Sequence, residues 1–224
     1  MTPSNIARMA AISGCRIIAV ADHNSTGNCR SVLKTANEAG ILAIPAMELT
    51  TSEEVHVLCL LPDLDAADAF GRYVRDRLPN IKNRPEFFGD QLYMDDDDTI
   101  LGREELLLLN ATSIGVNETP DLLRSFGGAA IPAHIDRSSF SIISNLGFLD
   151  REIGFSAVEI SRRCDLPSFA AAHPEIIGMP YIANSDAHAL PAIAEVRHMI
   201  EVGSFTARDV IKAVIEENIT TIFV

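Results

Sequence analysis

The sequence lacks paired cysteines. Its four, Cys15, Cys29, Cys59 and Cys164, form no CxxC motif and are too few for a disulfide framework in 224 residues. They read as buried thiols in a reducing compartment, so a cytoplasmic protein is expected. No apolar run approaches the roughly 18 residues of a membrane span, and Ile17–Ala21 is too short for a secretory core. No membrane partner is therefore expected. Basic residues are scarce as well: 18 Lys and Arg stand against 31 Asp and Glu, a net charge of −13. Without a basic stripe, binding of a nucleic-acid duplex is not expected. The acidic balance still permits a phosphorylated substrate, because bound metal ions can supply positive charge locally. There is no internal repeat, and the one biased run, Asp95–Asp98, lacks the spaced ligands and glycine of a calcium loop, so it reads as a solvated turn.

What is present is a chain that is 47% hydrophobic, enough for one core, and residues 1–224 are expected to form a single domain. Thr2 as N-cap and Pro3 at the first position open a helix that Gly14 closes. The apolar runs Arg16–Ala21, Ile41–Met47 and Glu54–Leu60 are expected as strands, with a helix over Cys29–Ala39 between the first two. From about 62 to 126 the pattern changes. A helix over Asp65–Leu78, a long loop with room for a hairpin over Arg84–Asp98, and a short helix over Gly102–Asn110 are expected there, as an inserted cap without a firm strand. Strands return at Gly128–His134, Ala157–Ile160 and Pro180–His188. A strand at Met199–Val202, a helix over Ala207–Glu217 capped by Thr206, and a last strand at Thr220–Val224 follow. Such alternation implies an α/β fold, a parallel sheet or barrel, with its chemistry at the C-terminal strand ends.

The polar residues fall where that expectation needs them. Asp22 and His23 follow the first strand, Glu48 the second, His134 the fourth, and Asp186 and His188 the sixth; His56 lies within a strand near Glu48. Four histidines and three carboxylates converging on one face suit zinc, manganese or iron, which accept mixed imidazole and carboxylate ligands. Singly, each histidine reads equally as a hydrogen-bonded core residue. Asp22 has the alternative of an Asx-type turn or of supporting a ligand histidine. Arg137, three residues after His134, is placed either for a bidentate phosphate contact or for a surface ion pair, and Arg162 and Arg163 are further candidates. His173 and His198 lie away from the pattern.

Four stretches, Ala21–Ser25 (ADHNS), Ala46–Leu58, Pro132–Asp136 (PAHID) and Asn184–His188 (NSDAH), together resemble the PHP family, the polymerase and histidinol phosphatase domain of metal-dependent phosphoesterases. The resemblance implies a distorted (β/α)7-type barrel with a helical cap and up to three divalent ions. By position it would place Glu48, His56 and His134 around one ion, with Glu48 bridging to a second that Asp186 also binds, and His23 and His188 at a third. The family's first motif, H-x-H on the first strand, is not in this sequence. The expectation is therefore that the family's first strand is missing, through truncation of the chain rather than divergence to a reduced site, and that fewer than three ions bind. The activity implied is hydrolysis of a small phosphomonoester or nucleotide by a metal-activated hydroxide, with Asp22, His188 and Arg137 as catalytic candidates. The alternative is a PHP-like metal- or ligand-binding regulatory module with impaired catalysis.

Overall fold

The computed structural model describes residues 1–193, 198–216 and 219–221. In chain order the elements are α1 (Pro3–Ile12), β1 (Ile17–His23), α2 (Cys29–Glu38), β2 (Leu42–Thr50), β3 (His56–Leu60), α3 (Leu64–Arg75), α4 (Pro85–Phe88), β4 (Leu92–Met94), β5 (Ile100–Arg103), α5 (Thr119–Ser125), β6 (Ala129–Pro132), α6 (Ile142–Leu146), β7 (Val158–Ser161), α7 (Leu166–Ala172), β8 (Tyr181–Asn184), β9 (His198–Ile200), α8 (Ala207–Ile215) and β10 (Ile219–Thr221). The end of the last expected strand, 222–224, lies outside the described residues.

The fold is mixed α/β, but the described strands form no closed barrel. They make one sheet in the order β1-β2-β3-β6 and three two-stranded sheets, β7-β8, β4-β5 and β9-β10. β1 and β2 are parallel, whereas β3 runs antiparallel to β2, from which only a short turn separates it, and also antiparallel to β6. The end of β6 is tied to β7 through the Ile135 N–H, which donates to the Glu159 carbonyl at 2.8 Å. A cavity of about 540 Å³ lies between β8 and β1, lined by Ile17, Ala19, Ala21, Glu159, Ala183 and Asn184 among others.

Side-chain alternation divides the core. Ile44 and Ala46 on β2, Leu58 and Leu60 on β3, and Ala129 and Ile131 on β6 face α8, packing against Val210, Ile211 and Val214. Met47, Leu49, Val57 and Cys59 face the other way, into a cluster with Phe70 and Val74 of α3 and with Ile114 and Leu123. Residues from the 62–126 stretch thus share an apolar cluster with the sheet. α1 and α2 close over β1 and β2 through Ala7, Ala10, Val32 and Ala36. Gly128 enters β6 where no side chain fits, since a Cβ there would meet the Leu60 carbonyl oxygen at 2.3 Å.

The cap stretch departs from the sequence pattern. No helix forms over Gly102–Asn110, and a hairpin of β4 and β5 stands where no firm strand was expected. Long-range bonds override the local periodicity here. Glu104 is buried and held by Arg75 at 3.1 Å and by the Tyr93 hydroxyl at 2.8 Å, while the Leu107 N–H donates to the Ile81 carbonyl. The acidic run is the hairpin turn: Asp95 Oδ1 accepts from the N–H groups of Asp97 and Thr99. Asp98 then caps α1 from a distance. It accepts the Ser4 N–H at 3.0 Å and the Thr2 hydroxyl at 2.7 Å, so Thr2 supplies no cap of its own.

Candidate metal centre

Register explains why distant residues meet. His23 lies directly opposite Glu48 in the β1–β2 ladder. Glu48 pairs with Leu58 and Thr50 with His56, so Glu48 and His56 are diagonal neighbours on one face. Ala133 donates its N–H to the His56 carbonyl at 3.0 Å, which delivers His134 beside them. The face is the one that carries Ile44, Ala46, Leu58 and Leu60, so the polar cluster caps the apolar core beneath α8.

Glu48 is the centre of the cluster. Its Oε2 lies 3.2 Å from His23 Nδ1, and its Oε1 lies 3.5 Å from both His56 Nδ1 and His134 Nε2. The Glu48 side chain is only 12% exposed. Burial by itself would raise its carboxyl, but hydrogen bonds from His134 and His56 and the charges of His56 and His23 outweigh this and hold it well below the usual range. His23 is pushed down, chiefly by burial, against the pull of Glu48. His134 moves up, because its bond to Glu48 and the charge of Glu48 overcome burial.

The donor set fits a divalent cation. Buried His23 Nδ1 and His134 Nδ1 have no hydrogen-bond partner; His23 Nδ1 is near Glu48 but not aligned for a bond. An unsatisfied buried nitrogen beside an ionised carboxylate, as His23 Nδ1 is beside Glu48, is costly in a metal-free site and useful in a loaded one. Among the described residues, the ligand atoms of His23, Glu48 and His56 lie within 4.8 Å of one another. That group differs from the Glu48, His56 and His134 set that the family resemblance implied.

The remaining candidates sit around it. Asp186 Oδ2 is 2.6 Å from Arg137 Nη1 and its Oδ1 3.6 Å from His188 Nδ1. His188 is exposed at the rim, its ring 6.3 Å from that of His23. Alternation along β1 turns Asp22 away from His23, to Asn28, whose amide donates to it at 2.9 Å and also to the Leu92 carbonyl. Burial raises the Asp22 carboxyl, and the Asn28 bond opposes it. His173 pairs with Glu175 and packs on Phe169, away from the cluster.

Two residues that the sequence reading did not single out for the site shape it. Asn24, buried at φ +47°, follows His23. Its N–H donates to the Glu48 carbonyl, its Oδ1 accepts from Thr50, and its amide reaches the carbonyls of Leu108 and Asn110. Glu159 lies on β7 in phase with buried Ala157, and a lone acid in an apolar strand was the available signal. Its Oε2 accepts the His134 N–H at 3.3 Å, supporting a backbone bent to φ +32°. Asp186 also has positive φ, +44°, so Asn24, His134 and Asp186, three residues after strands, hold conformations that the site must impose.

Glu159 carries a pH prediction for the metal-free protein. Burial pushes its carboxyl from 4.5 up to about 7, against the Asn184 bond and the charge of His134. Between those values the folded state keeps a proton that the unfolded state has lost, so stability falls as pH rises through the window. Glu159→Gln keeps an acceptor for His134 without the titration, and is expected to gain on the order of 3 kcal/mol over the wild type at about pH 8 relative to about pH 5. Urea unfolding in EDTA at the two pH values measures this; parallel profiles for the two proteins would refute it.

No family model and no curated protein sequence matches this chain. Solved structures do. Endonuclease Q of Pyrococcus furiosus, a lesion-specific endonuclease, aligns with TM-score 0.67 and 19% identity over 96% of this chain and 51% of its own. Endonuclease Q in complex with a 27-mer duplex, an abasic lesion at its active site, aligns with 0.66 and 17% over the same shares. An amidohydrolase from Chromobacterium violaceum with bound sulfate aligns with 0.60 and 18% over 99% of this chain and 93% of its own. A candidate metal-dependent phosphoesterase from Bifidobacterium adolescentis gives 0.52 and 17% over 84% and 82%. The fold is consistent with a PHP-type domain, and the chain spans about half the length of the endonuclease Q structures.

One expectation is overturned. A small phosphorylated substrate was expected from the family resemblance and no nucleic-acid duplex from net charge, yet a neighbour of this fold holds a duplex at its active site. Net charge is a sum over the whole chain and does not set the field inside a site lined by imidazoles and able to take a cation. On the membrane question, no helix among the described residues is long and apolar enough to cross a bilayer.

Proposed function

We propose that this PHP-type chain is a metal-dependent phosphoesterase whose substrate class is the phosphodiester backbone of nucleic acid. The observation that carries the reading is the Glu48 carboxylate set among three imidazoles, with the Nδ1 atoms of His23 and His134 left without hydrogen-bond partners. His23, Glu48 and His56 would hold a divalent ion, with His134, Asp186 and His188 as further ligands around it. Such an ion, when bound, acidifies water and neutralises charge on phosphoryl oxygens.

The chain's own groups supply the rest. Glu48 stays ionised to low pH, because its imidazole partners favour the anion, and so remains a ligand. Arg137 is 42% exposed and paired with Asp186, from which its guanidinium can transfer to a phosphate and bind it bidentately. His188, exposed at the rim beside Asp186, would serve as the acid for the leaving oxygen. Asp22 is turned to Asn28 and holds the loop that follows His23 rather than acting on substrate. The β4-β5 hairpin, tied to Asp22 through Asn28, belongs to a cap within one domain.

The test is cleavage of a labelled duplex bearing one abasic site, and of its undamaged counterpart, by protein loaded with Mn²⁺ or Zn²⁺. Cleavage that EDTA and His134→Ala both abolish is expected; unchanged turnover in the variant would sink the assignment. A second reading, a metal-binding module without turnover, is favoured by a single observation: the described side chains gather only one three-residue ligand group. Metal binding without cleavage of either duplex would select it.

A further inference from the structure

The loop after His134 carries an aromatic residue that the proposed chemistry does not use. Phe140 has φ +55°, a left-handed conformation that is costly for a bulky side chain and persists only where the surroundings impose it. They do so from both sides. The His56 N–H donates to the Phe140 carbonyl at 2.8 Å, and the next residue, Ser141, is fully buried, its hydroxyl donating to the Arg137 carbonyl and accepting from the Ser144 N–H.

This placement produces a stack. The Phe140 ring centroid lies 4.7 Å from that of His56 with the planes only 14° apart, whereas His23 and His134 meet the same imidazole at 59° and 70°. Core burial does not account for it, because Phe140 remains 44% exposed. The contact of His56 Nδ1 with Glu48 is long, 3.5 Å, and the same oxygen also faces His134, so it restrains rotation of the ring about the Cβ–Cγ bond only loosely. A parallel ring on one face removes the remaining freedom.

We propose that Phe140 is a positioning residue for the metal cluster: its ring fixes the plane of the His56 imidazole and thereby the direction in which that ring offers its nitrogen beside Glu48. The proposal rests on the metal-site reading above. The distinction from ordinary packing is that the stack holds orientation and contributes little to the fold, as its exposure and strained backbone require.

The test titrates the full chain and three variants with Co²⁺ alone, following its visible absorption, and measures melting temperature and the ¹⁵N imidazole spectrum of His56 without metal. Phe140→Leu is expected to weaken Co²⁺ binding about 10- to 100-fold and to broaden or average the His56 ring signals, while Phe140→Tyr stays within about threefold of wild type because it keeps the stack. Phe140→Gly relieves the backbone strain, so it should melt no lower than Phe140→Leu yet bind Co²⁺ as weakly. Wild-type affinity in Phe140→Leu, or an equal loss in Phe140→Tyr, overturns the proposal. If the wild type itself binds no Co²⁺, the metal reading fails, and the metal-free spectra decide on Phe140 separately: a His56 ring as ordered in Phe140→Leu as in wild type overturns its positioning role.

Discussion

Replacing Glu48 by alanine is expected to abolish tight divalent-ion binding and to lower hydrolysis at least about 1000-fold, well beyond the 10- to 100-fold typical of residues that merely orient a ligand. Among the described residues Glu48 is the one carboxylate within 3.5 Å of three imidazoles, and both of its oxygens are committed, one toward His23 and the other toward His56 and His134. Without it, three nitrogen donors face one another with no carboxylate between them, and the Asp186 carboxylate at the site is already paired with Arg137. Metal content by mass spectrometry after dialysis, together with cleavage of the abasic duplex, measures the effect. A Glu48→Ala protein that keeps its ion would place the site elsewhere.

The second large effect is a metal-dependent gain in thermal stability that disappears in acid. Saturating the folded protein at about 100 times the dissociation constant adds about 2.7 kcal/mol, which for a chain of this size raises the melting temperature by about 5–10 °C. The sign with pH follows from the ligands. Imidazoles must be neutral to bind, and the raised pKa of His134 means that this ring keeps its proton to a higher pH than an ordinary histidine. In the metal-free protein that raised pKa favours folding below the unfolded value, and the benefit fades as pH rises through the folded value. The ion does the opposite, competing with the protons and winning at high pH. The shift between Zn²⁺ and EDTA melts should therefore be large at about pH 7.5 and vanish near about pH 5.5. A shift independent of pH would argue against histidine ligation.

The positions of Asp22, His23, Glu48, His134, Asp186 and His188 at or near strand ends were legible because an apolar run followed by a polar residue is a local signal. So were α1, α2, α3 and α8, whose apolar spacing agrees with the packing, and the Thr206 cap of α8, whereas the expected Thr2 cap of α1 does not form. The hairpin of β4 and β5 was not, because its strands are three and four residues long and its neighbours are held by bonds from Arg75, Tyr93 and Gln91 rather than by local preference. Asp22 shows the limit within one strand. It stands next to His23, yet the period of two sends it to the opposite face and to Asn28.

By itself, then, the sequence determined the chemistry available: which strand ends carry imidazole and carboxylate, and that those donors suit a divalent ion. Tertiary structure decided which of them meet. The parallel register sets His23 opposite Glu48, the antiparallel turn brings His56 diagonal to it, and Glu159 and Phe140 hold His134 and His56 from elements 25 and 84 residues away in the chain. Pairing register and loop closure are long-range properties. A one-residue slip in β3 would turn His56 to the opposite face with every other side chain of that strand, and no local pattern records which register the folded chain adopts.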